Sequence, residues 1–136
     1  MEIDITDFFK NVDTWDFSGS HATHGPGAGK RTWNAAKGQA AETPLLDTPE
    51  ALDAMRKWAK ESGGWNKEEI AAWSDVEVNA LFIQLVTSDM REAGLEGQYF
   101  ENIDWDAYET KAENGQISGA LYRDARTGRI YYYLGN

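Results

Sequence analysis

The stretch SDVEVNALFIQLVTSDMREAG, residues 74–94, constrains the fold more than any other, because it is long, bounded at both ends and apolar on more than one face. Ser74 followed three residues later by Glu77 has the spacing of a capping box, in which the serine hydroxyl accepts a first-turn amide and the glutamate returns to the serine amide. Gly94 enters the left-handed conformation at little cost and so closes a helix. The expected central helix covers about 75–93 and is roughly 28 Å long. Val78, Leu81, Phe82, Leu85 and Met90 form one stripe, while Val76, Ala80, Ile83 and Val86 widen the apolar arc beyond an ordinary amphipathic face. Such a helix needs neighbours on at least two sides, and burial of Leu81, Phe82, Ile83 and Leu85 supplies about 1.5 to 3 kcal/mol each.

Before it, the spacing of Ile5, Phe8, Phe9 and Val12 predicts a first helix over about 6–12, with Trp15 extending its face. The passage DFSGSHATHGPGAGK is too rich in glycine for regular structure, and long loops in compact domains are used or mobile. A second helix is expected over about 29–41, with Trp33, Ala36 and Ala40 inward and Lys30, Lys37 and Gln39 outward. A third starts at the cap Thr48 and Pro49, placing Leu52, Met55, Trp58 and Ala59 on one face, and ends at Gly63 and Gly64. Asn66 with Glu69 caps a short fourth helix through Trp73. Asp104 caps another over about 105–113, closed by Asn114 and Gly115. The ending QISGALYRDARTGRIYYYLGN changes period: strands over about 117–123 and 129–134 flank a loop in which Gly128 takes the left-handed position. Ile130, Tyr132 and Leu134 share one side and Tyr131 and Tyr133 the other. A lone hairpin is marginal, so one side must dock. The expected fold is α+β and mainly α: a compact bundle of five to six helices around the central one, with a C-terminal β-hairpin over about 117–134.

With 136 residues, 41% of them hydrophobic and 26% charged, the chain fits a single globular domain over 1–136. No apolar run approaches the length of a membrane span, and the beginning MEIDITDFF is acidic, so neither signal peptide nor anchor is expected and the expected location is the cytosol. The absence of cysteine excludes disulfides, thiolate metal sites and cysteine nucleophiles. The net charge of −10 is unevenly placed: residues 61–113 hold thirteen acids against Lys67, Arg91 and Lys111, and so carry all of it. Residues 17–41 hold no acid but contain Lys30, Arg31, Lys37, His21 and His24.

Residues 24–32, HGPGAGKRT, invite comparison with the phosphate-binding loop G-x-x-x-x-G-K-[ST]. Gly25 stands one residue too close to Gly29 and Lys30, Arg31 occupies the place of the hydroxyl, and no hydrophobic strand precedes. What remains is a candidate anion site at a helix start, made of Gly27, Gly29, Lys30 and Arg31. His21 and His24, with Asp13 and Asp16 upstream, lack a third firm ligand, so no metal is expected, and no cofactor either. Ser18 and Ser20 stand in no nucleophile elbow; no catalytic residue is assigned. Trp65 and Trp105 open helices, where a tryptophan serves as a staple across the helix end or as an exposed interface anchor. The acids Glu68, Glu69, Asp104, Asp106, Glu109 and Glu113 give a field of one sign, which repels nucleic acid and draws basic protein surfaces.

The segments SGSHATHGPGAGKRTWNAA, WSDVEVNALFIQLVTSDMRE and GRIYYYLG together resemble small, uncharacterised accessory proteins carried by phages, plasmids and integrated elements. The resemblance spans most of the chain, carries no catalytic motif and implies a mobile-element origin. The leading expectation is a non-enzymatic, protein-binding inhibitor with an anti-CRISPR or anti-restriction role. It would occupy the basic nucleic-acid-binding surface of a host protein, using Glu68, Glu69, Asp104, Asp106, Glu109, Glu113, Trp65 and Trp105, without binding nucleic acid or membrane itself. The alternatives are a small enzyme or ligand-binding protein working through the Gly-rich loop 25–32, and a structural or regulatory accessory protein.

Overall fold

The capping signals locate the helices because an unpaired amide at a helix start is costly and a side chain that satisfies it fixes where the helix begins. The computed structural model describes residues 1–11, 30–92, 104–116 and 120–134. These residues form an α+β, mainly helical fold: strand β1 (Glu2–Asp4), helices α1 (Thr6–Asn11), α2 (Lys30–Glu42), α3 (Pro49–Glu61), α4 (Lys67–Ala71), α5 (Asp75–Glu92) and α6 (Trp105–Glu113), then strands β2 (Leu121–Arg123) and β3 (Ile130–Tyr133). The capping box at the head of α5 is closed in both directions, Glu77 N to Ser74 Oγ and Ser74 N to Glu77 Oε1, each 3.2 Å. Thr48 accepts from Ala51 N, Asn66 from Glu69 N and Asp104 from Ala107 N. Gly64, Gly115 and Gly128 take positive φ, which ends α3 and α6 and turns the hairpin. Gly94, the expected close of the central helix, lies outside the described residues.

α5 is the centre of the core. α2 and α3 pack along it, and the sheet reaches it through an edge-to-face contact of Phe82 with Tyr132, ring centroids 5.4 Å apart. Val78, Ala80, Leu81, Phe82, Ile83, Leu85 and Val86 are all buried. Val76 does not join them: it is 36% exposed, because it stands in the first turn, before α2 and α3 close over the helix. The alanines Ala36 and Ala40, with Trp33, form the inward face of α2. On α3 the buried line is Ala51, Met55 and Ala59, so the apolar face is rotated from the expected one and leaves Leu52 and Trp58 half-buried at its margin. No described helix is long and apolar enough to cross a membrane.

The C-terminal hairpin is part of a three-stranded antiparallel sheet in the order β1-β3-β2. β1 pairs with β3 in the register Ile3 opposite Tyr132, and β2 pairs with β3 with Leu121 opposite Tyr132. Ile5, expected on the first helix face, instead continues the alternation of β1, with Ile3 and Ile5 buried and its amide bonded to Ile130 O at 2.9 Å. Thr6 joins strand to helix: its hydroxyl donates to Asp4 Oδ1 at 2.6 Å and accepts from Ile130 N at 2.9 Å. Ile130, Tyr132 and Leu134 are buried as the alternation requires. β3 lies one residue inside the expected bounds at each end, and the described part of the other strand is Leu121–Arg123, residues 117–119 lying outside the described set; the turn is closed by Asp124 N to Arg129 O and Gly128 N to Asp124 O.

Candidate protein-binding surfaces

The acidic residues fall on two separate elements. α4 packs on α3, whereas α6 docks at the β2 border, where Leu121 N donates to Tyr108 Oη at 3.1 Å and the Arg123 guanidinium lies 5.9 Å from the centre of the Trp105 ring. Trp105 and Tyr108 supply the buried face of α6, so Asp106, Glu109 and Glu113 are turned outward and are exposed. Thus α6 is held by its aromatic side and offers its carboxylates to solvent. On α4, Ile70 is the buried residue, and Glu68 and Glu69 are exposed.

Two of these acids already have local work. Glu69 accepts from Asn66 Nδ2 at 2.6 Å while its amide donates to Asn66 Oδ1, and the Asp104 carboxylate caps α6. Glu68, Asp106, Glu109 and Glu113 take part in no ion pair among the described residues. The ion pairs found there are elsewhere: Arg56 with Asp75 at 3.4 Å and Arg129 with Asp4 at 2.6 Å. Burial alone would raise the pKa of Asp4, but hydrogen bonds from Arg129 and Thr6 outweigh it and hold the carboxyl below its ordinary value.

The tryptophans at the helix starts are packed. Trp105 is only 6% exposed and stands edge-on to Tyr108, so it is a core residue and not an exposed anchor. Trp65 is half-buried and edge-on to Trp73, with centroids 5.4 Å apart, and its Nε1 is buried without a hydrogen-bond partner among the described residues. Gly63 makes that position possible: a Cβ there would stand 2.9 Å from Ala59 O and 3.0 Å from the Trp65 ring. Both rings pack against a neighbouring aromatic side chain, Trp65 on Trp73 and Trp105 on Tyr108.

The proposed anion site cannot be assembled from the described residues. Gly27 and Gly29, with His21 and His24, lie outside them, and of Lys30 and Arg31 only the helical backbone at the start of α2 is described. Among the described residues no group of three or more His, Asp or Glu side chains gathers around a common point. An open groove of about 350 Å³ lies between the end of α2 and the starts of α3 and α5, lined by Ala40, Leu46, Leu52, Val76, Asp47 and Asp75. Its Asp75 is paired with Arg56, and the Asn79 amide beneath it is bonded to Leu46.

The outer face of the sheet was only half legible in the sequence. Tyr131 and Tyr133 were expected opposite the buried side, but Tyr122 and Glu2 were not expected to join them. Tyr122 stands directly across from Tyr131, with ring centroids 5.5 Å apart and planes at 25°, and Glu2 stands across from Tyr133, which is 46% exposed. A side-chain hydrogen bond with the Glu2 carboxylate pushes the Tyr122 phenol up to about 12. The alternation of Glu2, Ile3, Asp4 and Ile5 is the signal that points to β1, and it is short. On the inner face, burial and the Asp89 carboxylate, 2.5 Å away, drive the Tyr132 phenol far above its ordinary value.

Comparison of the chain with family models, with curated proteins and with solved structures gives no match.

Proposed function

We propose that the chain is a small acidic protein-binding inhibitor carried by a mobile genetic element, which counteracts a host defence system in the host cytosol, of the anti-CRISPR or anti-restriction kind. In this reading it occupies a basic surface on which a host protein binds nucleic acid. The supporting observation is that Glu68, Asp106, Glu109 and Glu113 are exposed and carry no ion pair among the described residues. Carboxylates held outward on capped helices attract a basic surface over a Debye length. Such a field acts chiefly on the rate and selectivity of encounter, with packing contacts needed to hold the complex.

The experiment is affinity capture from host lysate followed by challenge with duplex DNA and RNA. A captured nucleic-acid-binding protein that nucleic acid displaces supports the reading. A captured partner indifferent to both contradicts it.

A further inference from the structure

The end of α6 is closed through a single glycine. Asn114 caps it with φ −81° and ψ 1°, and Gly115 follows with φ 71°. Two bonds then return the chain to the helix, Gly115 N to Ala112 O at 3.1 Å and Gln116 N to Lys111 O at 3.0 Å. Asn114, Gly115 and Gln116 are all exposed, and the Asn114 side chain forms no hydrogen bond among the described residues. Asparagine is followed by glycine nowhere else in the chain. Asn66 and Asn79 differ on both counts: Asn66 is tied to Glu69 in both directions and Asn79 to Leu46, and each precedes a residue that carries a side chain. An exposed helix end opens at little cost, which frees the Gly115 amide. Without a Cβ, Gly115 puts nothing between that nitrogen and the Asn114 carboxamide.

We infer that the Asn114–Gly115 pair is a self-modification site, at which the Asn114 carboxamide is lost spontaneously as ammonia and the end of α6 acquires a new carboxylate. Once the helix end opens, the Gly115 nitrogen gives its proton to a solvent base and bonds to Cγ of Asn114. The Cγ–Nδ2 bond breaks, and Nδ2 leaves as ammonia with a proton taken from water. The product is a cyclic imide, and water then adds across either of its two ring C–N bonds. Opening at Cγ gives aspartate in an ordinary backbone. Opening at the backbone carbonyl gives isoaspartate, in which the main chain runs through Cγ. Water is the only co-reactant, and nothing is oxidised or reduced.

The two products act differently on the helix. The imide nitrogen has no proton, so the bond from Gly115 N to Ala112 O is absent while the ring lasts. Aspartate restores that bond but sets a negative charge next to Glu113, at the helix end where free carbonyls already make the field negative. Isoaspartate inserts an extra main-chain atom and puts Gly115 and Gln116 out of register with Ala112 and Lys111, so the closure of α6 is lost.

The test ages the full chain in mildly alkaline and mildly acidic buffer, both folded and in urea. Isoelectric focusing follows the charge, and peptide mass mapping with fragmentation tells isoaspartate from aspartate. The folded chain is expected to gain one negative charge, faster in the alkaline buffer, with residue 114 converted before any other asparagine and both products present. Asn114→Gln, whose longer side chain closes a ring far more slowly, is expected to lose this conversion. In amide exchange, Gly115 and Gln116 are expected to keep most of their protection in Asn114→Asp and to lose it in the isoaspartate form, with melting curves checking that each variant folds. If residue 114 stays unconverted in the folded chain, whether or not urea allows the change, the closed helix end protects it and the inference is overturned. Earlier conversion of another asparagine, or conversion of residue 114 without isoaspartate, overturns it as well.

Discussion

The side-chain amide of Asn79, inside α5, and the backbone of Leu46, in the link between α2 and α3, are hydrogen bonded in both directions: Leu46 N donates to Oδ1 at 2.7 Å, and Nδ2 donates to Leu46 O at 3.2 Å. Nδ2 also lies 3.1 Å from Asp75 O. Asn79 is only 2% exposed, so these bonds satisfy backbone groups that water does not reach. They fix the path by which the chain passes from α2 to the cap of α3.

Replacement of Asn79 by Ala or Leu is therefore expected to destabilise the fold by about 1 to 3 kcal/mol, the cost of leaving the Leu46 amide and carbonyl buried without partners. Urea denaturation measures it. A loss well below ~1 kcal/mol would show that the link finds other partners.

Gln84, further along α5, is the opposite case: it is 3% exposed, and neither its amide nitrogen nor its oxygen has a partner among the described residues. Gln84→Met keeps the length and removes the stranded dipole, so a gain of about 1 kcal/mol is expected. The neighbouring Leu85→Ala is expected to lose about 2 to 5 kcal/mol by opening a cavity. Opposite signs at adjacent positions are the outcome to look for in one denaturation series; destabilisation by Gln84→Met would mean that the amide is satisfied in solution.

Asp4 makes stability depend on pH in a defined direction. Its folded pKa is depressed below the unfolded value of 3.8, so its contribution is complete above that value and is lost as pH falls through the lower folded value. The wild type should lose stability relative to Asp4→Asn over that acid window, the two denaturation curves converging as the carboxyl protonates. Arg129→Gln should reduce the same dependence, since it removes a partner that holds the carboxyl ionised. Parallel pH profiles for wild type and Asp4→Asn would contradict this.

Where a local physical signal existed, the sequence was readable. Ser74 with Glu77, Thr48 with Pro49, Asn66 and Asp104 each state a helix start within a few residues, and Gly128 states its turn. β1 was not readable in the same way, because three residues alternate too briefly to be told from the edge of a helix. Their partner, β3, lies at the other end of the chain. The bond from Asn79 to Leu46 has no local signature at all, since an asparagine within a helix looks like a surface residue until the link above it is placed. Trp105 likewise opens its helix in sequence yet packs inward, because Tyr108 and Arg123 converge on it. At the candidate surface the charge was legible residue by residue, while the tyrosine row depends on the β2 and β3 register that sets Tyr122 against Tyr131.

The central claim, that exposed carboxylates on α4 and α6 drive association with a basic host surface, is tested most directly by the association rate of the chain with its captured partner as salt is raised. Glu68→Lys, Glu109→Lys and Glu113→Lys are suited to this because none of these side chains caps a helix or forms an ion pair among the described residues. Charges exposed to solvent are screened beyond about 8 to 10 Å at physiological ionic strength, so the wild-type rate should fall steeply with salt. The triple reversal should slow association far more than it speeds dissociation, and its rate should depend little on salt or rise with it. A wild-type association rate that salt leaves unchanged, matched by the triple reversal, would contradict the account.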